Sequence, residues 1–188
     1  MLACAALTSL FVGCGSSDDD ESVTFEEWVG SVITDYDPAA SLADLSARST
    51  VVTEATLVDI EDGAIFGSSP DDEGAGRSVN LIFDTDTGDR YYVERPRPPY
   101  IGLDELRSVM PLGAPSVIYL QPNNDPRGEN FFNVREGPTW FLTTPQGWIL
   151  DDPERGIITP LEGLDTLGFP PPAGGDTNLQ AWLVDPKP

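Results

Sequence analysis

Thr50-Val51-Val52-Thr53-Glu54-Ala55-Thr56-Leu57-Val58-Asp59-Ile60 is the stretch around which the rest of this chain arranges itself. Its density of Val, Thr and Ile predicts a long strand, because side chains branched at Cβ pack well on a pleated surface. Asp62-Gly63 carries the signature of a hairpin turn, with Ala64-Ile65-Phe66 returning. A polar, Gly-rich loop from Ser68 to Arg77 follows, bearing Asp71, Asp72 and Glu73. Val79, Leu81 and Phe83 then alternate down a second main strand, and a turn from Thr85 to Asp89 leads into a third, Arg90-Tyr91-Tyr92-Val93-Glu94.

Moving outward toward the C-terminus, Arg95-Pro96-Arg97-Pro98-Pro99 is an extended connector. Proline donates no ladder hydrogen bond, so this segment is not expected in a central strand. Gly102 to Met110 reads as a short helix stopped by Pro111, and Ser116-Val117-Ile118-Tyr119-Leu120, apolar on both faces, as a buried strand. After a loop from Pro122 to Gly137, Trp140-Phe141-Leu142-Thr143 and Gly147-Trp148-Ile149-Leu150 predict a hairpin turning at Pro145-Gln146. Gly156 to Thr159 adds an edge strand. The Pro- and Gly-rich end is irregular, with Trp182 and Leu183 docking back.

Toward the N-terminus, Thr24-Phe25-Glu26-Glu27 is a capping box. Phe25, Trp28, Val29, Val32 and Ile33 follow at helical spacing, which predicts an amphipathic helix to about Thr34. Ser41-Leu42-Ala43-Asp44 opens a second, shorter helix ending near Ala47. The expected fold class is therefore mainly β with short helices (α+β). Three strands, a helix and two more strands is the order of an OB-like, partly open β-barrel of about five strands. The alternative is a generic α+β sheet with helices on one face. The expected boundaries are 1–13 signal peptide, 14–23 acidic linker, 24–47 helical segment, 48–160 barrel and 161–188 irregular C-terminal segment.

The linker and what precedes it locate the protein. Leu10-Phe11-Val12-Gly13-Cys14-Gly15-Ser16-Ser17 resembles a bacterial lipoprotein lipobox, with Phe11 where the motif prefers Leu. The resemblance implies that Cys14 is acylated and becomes the mature N-terminus. The apolar run before it is shorter than the ~20 residues that span a bilayer. It lacks the basic residues that begin a secretory signal, which places the natural start upstream. The spacer Gly15-Ser16-Ser17-Asp18-Asp19-Asp20-Glu21-Ser22 is too polar to be buried and reads as a tether. The expected location is the cell envelope, on the extracytoplasmic face of a bacterial membrane. Parts of the sequence, Leu42 to Ile60, Tyr92 to Pro99 and Thr144 to Glu162, also resemble uncharacterised secreted or lipid-anchored proteins of high-GC bacteria. That resemblance implies no activity.

Composition narrows the chemistry. The chain has 32 acidic and 10 basic residues in 188, a net charge of −22, and its only lysine is Lys187. Such a surface repels phosphate backbones, so nucleic acid is not an expected partner. There is no His, and the two cysteines are Cys4, inside the signal peptide, and Cys14. This inventory excludes Ser–His–Asp and Cys–His catalysis and zinc sites built on His or thiolate. Neither a phosphate-binding loop nor a dinucleotide fingerprint is present, and no cofactor is expected.

Carboxylates remain. Asp84-Thr85-Asp86-Thr87-Gly88-Asp89 resembles the start of a calcium loop, which makes Asp84, Asp86 and Asp89 metal candidates. Its sixth and twelfth positions, however, are Asp89 and Arg95 rather than the Gly and Glu of an EF-hand. Asp71-Asp72-Glu73 and Asp151-Asp152 read as exposed loop charge. Tyr91, Tyr92, Tyr100 and Tyr119 with Arg95 and Arg97 are candidates to line a groove for a sugar or peptide; the competing reading is aromatic core with arginines paired to acids. The leading expectation is a lipid-anchored, non-catalytic module that binds an envelope protein or small ligand. Its rivals are a calcium-dependent structural module and a hydrolase working through two carboxylates.

Overall fold

The computed structural model describes residues 23–31, 36–124, 128–162 and 178–184. Both predicted helix caps form. The amide of Glu27 donates to Thr24 Oγ1 at 3.1 Å while the amide of Thr24 donates to Glu27 Oε2 at 2.6 Å. This box starts α1 (Phe25–Ser31), which buries Trp28 and Val29. The continuation expected through Val32 and Ile33 lies outside the described residues. Ser41 Oγ accepts the amide of Asp44 at 3.1 Å and starts α2 (Leu42–Arg48).

β1 (Val51–Phe66) is a single strand of 16 residues, so the hairpin expected at Asp62-Gly63 is not made. The chain runs straight through that dipeptide as a β-bulge, between the pairs Asp62↔Val79 and Ile65↔Arg77. A Cβ on Gly63 would sit 2.3 Å from Ser78 Oγ, so this glycine serves the close approach of two strands rather than a reversal. The reversal comes later, where the Asp72 carboxylate accepts from Ser68 Oγ at 2.7 Å and from the Gly74 amide at 2.9 Å. A second bulge between Leu57 and Asp59 adds further twist to β1. The strand thereby serves two neighbours. Val51 to Thr56 pair with β4 (Pro115–Pro122), and Thr56 to Phe66 pair with β2 (Gly76–Asp84).

β2 pairs antiparallel with β3 (Arg90–Arg97), and the connector residues Arg95, Pro96 and Arg97 are part of that strand. The reading of this segment as extended holds, while its separation from the sheet does not. Proline is tolerated because β3 has a second strand neighbour only at Val93, which pairs in parallel with Trp140 of β6 (Trp140–Leu142). Beyond Val93 the outer backbone edge of β3 needs no donor from Pro96.

The hairpin expected at Pro145-Gln146 is also replaced. β6 pairs with Leu120 to Pro122 of β4, and β7 (Trp148–Asp152) pairs with Ser116 to Ile118 of the same strand. β6 and β7 are thus two halves of one strand, separated by a 3₁₀ turn at Pro145–Gly147 that bulges opposite Tyr119. The turn signal is real but jogs the chain sideways without reversing it. β8 (Gly156–Ile158) adds the predicted edge to β7. A short β5 (Phe131–Phe132), inside the stretch read as loop, pairs with the end of β1.

Among the described residues the fold is therefore mainly β with three short helices, and the eight strands join in one sheet. Within that sheet β1, β2, β3, β6 and β4 form a ring, since β1 pairs with both β2 and β4. Leu57, Ile60, Leu81, Phe83, Ile118 and Trp148 fill the first core, with Trp28 of α1 and Leu106 of α3 (Leu103–Val109) packed against them. α3 is fastened by Arg107, which contacts Asp59 at 2.9 Å and the Ile60 carbonyl at 2.8 Å.

A second core lies on the other face of β4, where Val117, Tyr119 and Ile149 meet Leu45 and Trp182. This explains why β4 is apolar at successive positions: its two sides serve two cores. Trp182 docks as expected, whereas Leu183 remains 37% exposed.

A candidate ligand cavity beside β3

Cys14 lies outside the described residues. At the expected calcium loop, the guanidinium of Arg90 grips Asp84 through both oxygens at 2.6 Å. That hydrogen-bonded pair holds the Asp84 carboxyl below its ordinary value. Asp89 Oδ2 accepts from Thr87 Oγ1 at 2.9 Å, and Asp86 is exposed. A cation already occupies the acid that would anchor a metal, and among the described residues no three acidic side chains are gathered around one point. Asp152 is likewise engaged, accepting the amides of Glu154 and Arg155 at 2.9 and 2.8 Å in the β7–β8 turn.

The tyrosine groove is not built. Tyr119 is wholly buried in the second core, Tyr91 packs edge-on against Trp140, and Tyr100 is 75% exposed. Tyr92 lies beneath the guanidinium of Arg135, 3.2 Å from its ring centre. Arg97 is spent on Asp62 at 2.7 Å and the Ile101 carbonyl at 3.3 Å. Tyr91, Tyr92 and Tyr119 are thus spent on packing, and Tyr100 stands apart in solvent.

A different set of aromatics makes a cavity of about 380 Å³ where β3 loses its outer strand neighbour. Phe66 ends β1, Phe131 pairs with it from β5, and Phe141 comes from β6. The rings of Phe66 and Phe131 lie 5.0 Å apart at 43°. Phe66 is 53% exposed, an unusual degree for a phenyl ring with apolar neighbours. Ala64 and Pro96 complete the apolar wall. The segment carrying Phe131 is fastened to the sheet by Asn133, whose amide donates to the Gly63 carbonyl at 2.9 Å, and by Arg135, paired with Glu61 at 2.9 Å. Nothing in local spacing flags this cavity. The one available signal is Phe131-Phe132, an apolar pair inside an otherwise polar loop.

Its polar groups are few. Ser78 Oγ donates to Glu94 Oε1 at 2.8 Å, and Asn123 Nδ2 donates to Glu94 Oε2 at 3.0 Å, which fixes that buried carboxylate. Arg77 and Arg95 border the cavity, but the register sets their side chains with Val79, on the face of β2 and β3 opposite Ser78, Glu94 and Pro96. Arg95 is only 7% exposed, and its Nε and Nη2 have no hydrogen-bond partner. Burial drags its guanidinium down to about 10, still protonated at neutral pH. Chemically the cavity can enclose an apolar body, with the Ser78–Glu94 pair as a polar contact at one side. No family model, curated protein or solved structure matches the chain.

Proposed function

We propose that this chain is a non-catalytic ligand-binding module on an OB-like, partly open barrel, held at the extracytoplasmic face of a bacterial membrane through acylated Cys14. Support for the barrel comes from strand order. The ring runs β1-β2-β3-β6-β4, α3 separates β3 from β4, and the closing contact of β3 with β6 is parallel. An OB-fold binds its ligands on the face of its second and third strands and on neighbouring loops. The Phe66–Phe131–Phe141 cavity occupies that face, between β2, β3 and the segment joining β4 to β6. This coincidence is the single observation that carries the reading.

The volume, about 380 Å³, falls in the range of small-molecule sites, which span ~300–1,000 Å³. Oligonucleotides, a usual guest of such barrels, are disfavoured by the net charge of −22. The tether rests on the lipobox-like stretch and its acidic spacer. Two measurements test the two halves. Partition of the expressed protein into detergent, with mass spectrometry of its N-terminal peptide, should find Cys14 acylated and Cys14→Ala in the aqueous phase; an unmodified chain retaining residues 1–13 sinks the anchor. Titration with small aromatic compounds, followed by amide NMR shifts, should move signals of Phe66, Phe131 and Phe141 together. Shifts elsewhere, or none, sink the cavity as a binding site.

A further inference from the structure

The class of ligand can be narrowed, resting on the cavity as the binding site. In the β2–β3 ladder Ser78 stands opposite Pro96 and Asn80 opposite Glu94, so these four side chains share one face. Phe66 stands opposite Gly76, and Phe131 opposite Phe66, which sets both rings on that same face. The alternate residues point the other way, Val79, Leu81 and Val93 into the first core and Arg77 and Arg95 with them. Among the described residues that line the cavity, Glu94 is therefore the one charged side chain on its face. Glu94 is 8% exposed, and Ser78 Oγ and Asn123 Nδ2 each hold one of its oxygens. A carboxylate fixed in an apolar wall sets the sign of the field that a ligand meets there.

We infer that the cavity receives a small amphiphilic cation, an amine whose ammonium group lies against Glu94 while its apolar body packs among Phe66, Phe131 and Phe141. Three features act in the same direction. A carboxylate has about four lone-pair sites, so an ammonium N–H can join Ser78 and Asn123 at Glu94. Such charge-assisted hydrogen bonds are roughly twice as strong as neutral ones. The faces of phenyl rings carry partial negative charge and attract a cation within about 6 Å. The exterior, with a net charge of −22, draws cations toward the protein and repels anions. That outer field is screened within ~8 Å at physiological salt, so the groups in the cavity wall set the preference. Arg77 and Arg95 project from the far face of the strands, and their charge weakens the attraction without occupying the site.

Calorimetric titration of the full chain at neutral pH with phenylbutylamine, the neutral phenylbutanol and the anionic phenylbutyrate tests this. Ring and chain are shared, so the series isolates charge. The amine should bind about 10- to 100-fold more tightly than the alcohol, the value of a charge-assisted hydrogen bond, and the acid more weakly than either. Glu94→Gln should erase most of the amine's advantage and leave the affinity for the alcohol in place. Phe66 is 53% exposed, so Phe66→Leu supplies a second variant that does not disturb the core. It should narrow the ratio of amine to alcohol affinity about 2- to 5-fold, the value of one cation–π contact. Should Glu94→Gln fail to fold, the native series and Phe66→Leu still decide. Equal affinities for amine and alcohol, tighter binding of the acid, or an advantage that survives in folded Glu94→Gln overturn the assignment while leaving the cavity a binding site. Failure of all three compounds to bind overturns the cavity and this inference together. Binding of acetyl-Phe-Lys-amide without binding of phenylbutylamine replaces the free amine by a peptide side chain.

Discussion

Tyr119, in the middle of β4, donates its phenolic hydrogen to the carbonyl oxygen of Trp182, 63 residues further along the chain. The same phenol oxygen accepts the amide of Val184 at 3.3 Å, and Ser46 Oγ of α2 donates to the Val184 carbonyl at 2.7 Å. One buried side chain of the sheet thus closes the second core by gripping the C-terminal segment, with Trp182 as the apolar plug.

Tyr119→Phe should therefore lose about 1–3 kcal/mol in urea denaturation, because the Trp182 carbonyl and the Val184 amide lose a shared partner. The pH dependence has a definite sign. Burial pushes the Tyr119 phenol from an ordinary 10 up to about 12. The folded state favours the neutral phenol, so this stabilisation is complete below pH 10 and disappears as pH rises from 10 to 12. Alkaline titration followed by tryptophan fluorescence should show that loss in the native protein and a smaller one in Tyr119→Phe.

Two glycine-to-alanine changes should act in opposite directions. At Gly63 a new Cβ would meet Ser78 Oγ at 2.3 Å and the Ser78 carbonyl carbon at 2.9 Å. Gly63→Ala should cost about 1–3 kcal/mol, as overpacking usually does, and weaken binding by shifting the Ser78–Glu94 contact. At Gly30, inside α1, nothing lies within 4 Å of the place an alanine methyl would take, so Gly30→Ala should gain roughly 0.5–1 kcal/mol. Paired chemical melts decide both.

Asp84 and Arg90 allow a test of metal dependence. Their side chains are 35% and 51% exposed, so Asp84→Asn should cost only about 0–1 kcal/mol. The pair holds the Asp84 carboxyl below its ordinary 3.8. Its contribution is thus present above pH 3.8 and is lost as pH falls through the lower folded value, a dependence that Asp84→Asn should not share. Millimolar calcium should leave the melting temperature unchanged, since a metal at this turn must first break the ion pair. A rise in melting temperature would revive the calcium-module reading.

Ser116 and Trp148 offer a core test. The indole Nε1–H donates to Ser116 Oγ at 3.1 Å, and both residues are wholly buried. Ser116→Ala should leave that donor unsatisfied and cost about 1–3 kcal/mol in thermal or urea unfolding. A loss below a few tenths would mean that the indole finds another acceptor.

Local chemistry makes much of this protein legible from the order of its residues. Thr24 with Glu27, and Ser41 with Asp44, announce their helices because capping needs only residues three apart. Val79, Leu81 and Phe83 declare a strand, and the unbroken apolar run from Val117 to Leu120 a strand buried on both sides, because burial pattern follows the period of the pleat. The absence of His rules out imidazole chemistry, and the charge of −22 weighs against nucleic acid, irrespective of fold.

Tertiary structure decided the rest. Asp62-Gly63 and Pro145-Gln146 satisfy the local preferences of turns, yet the first is drawn through the sheet as a bulge against Ser78 and the second becomes a jog opposite Tyr119. Turn chemistry states which backbone angles are allowed, and only pairing with distant strands selects among them. The cavity is a sharper case. Phe66, Phe131 and Phe141 are brought together from three strands, and Arg95 is left without a carboxylate in a chain rich in them. Which arginine goes unpaired depends on long-range packing, because an ion pair requires two side chains to meet in space and their sequence separation places no bound on that.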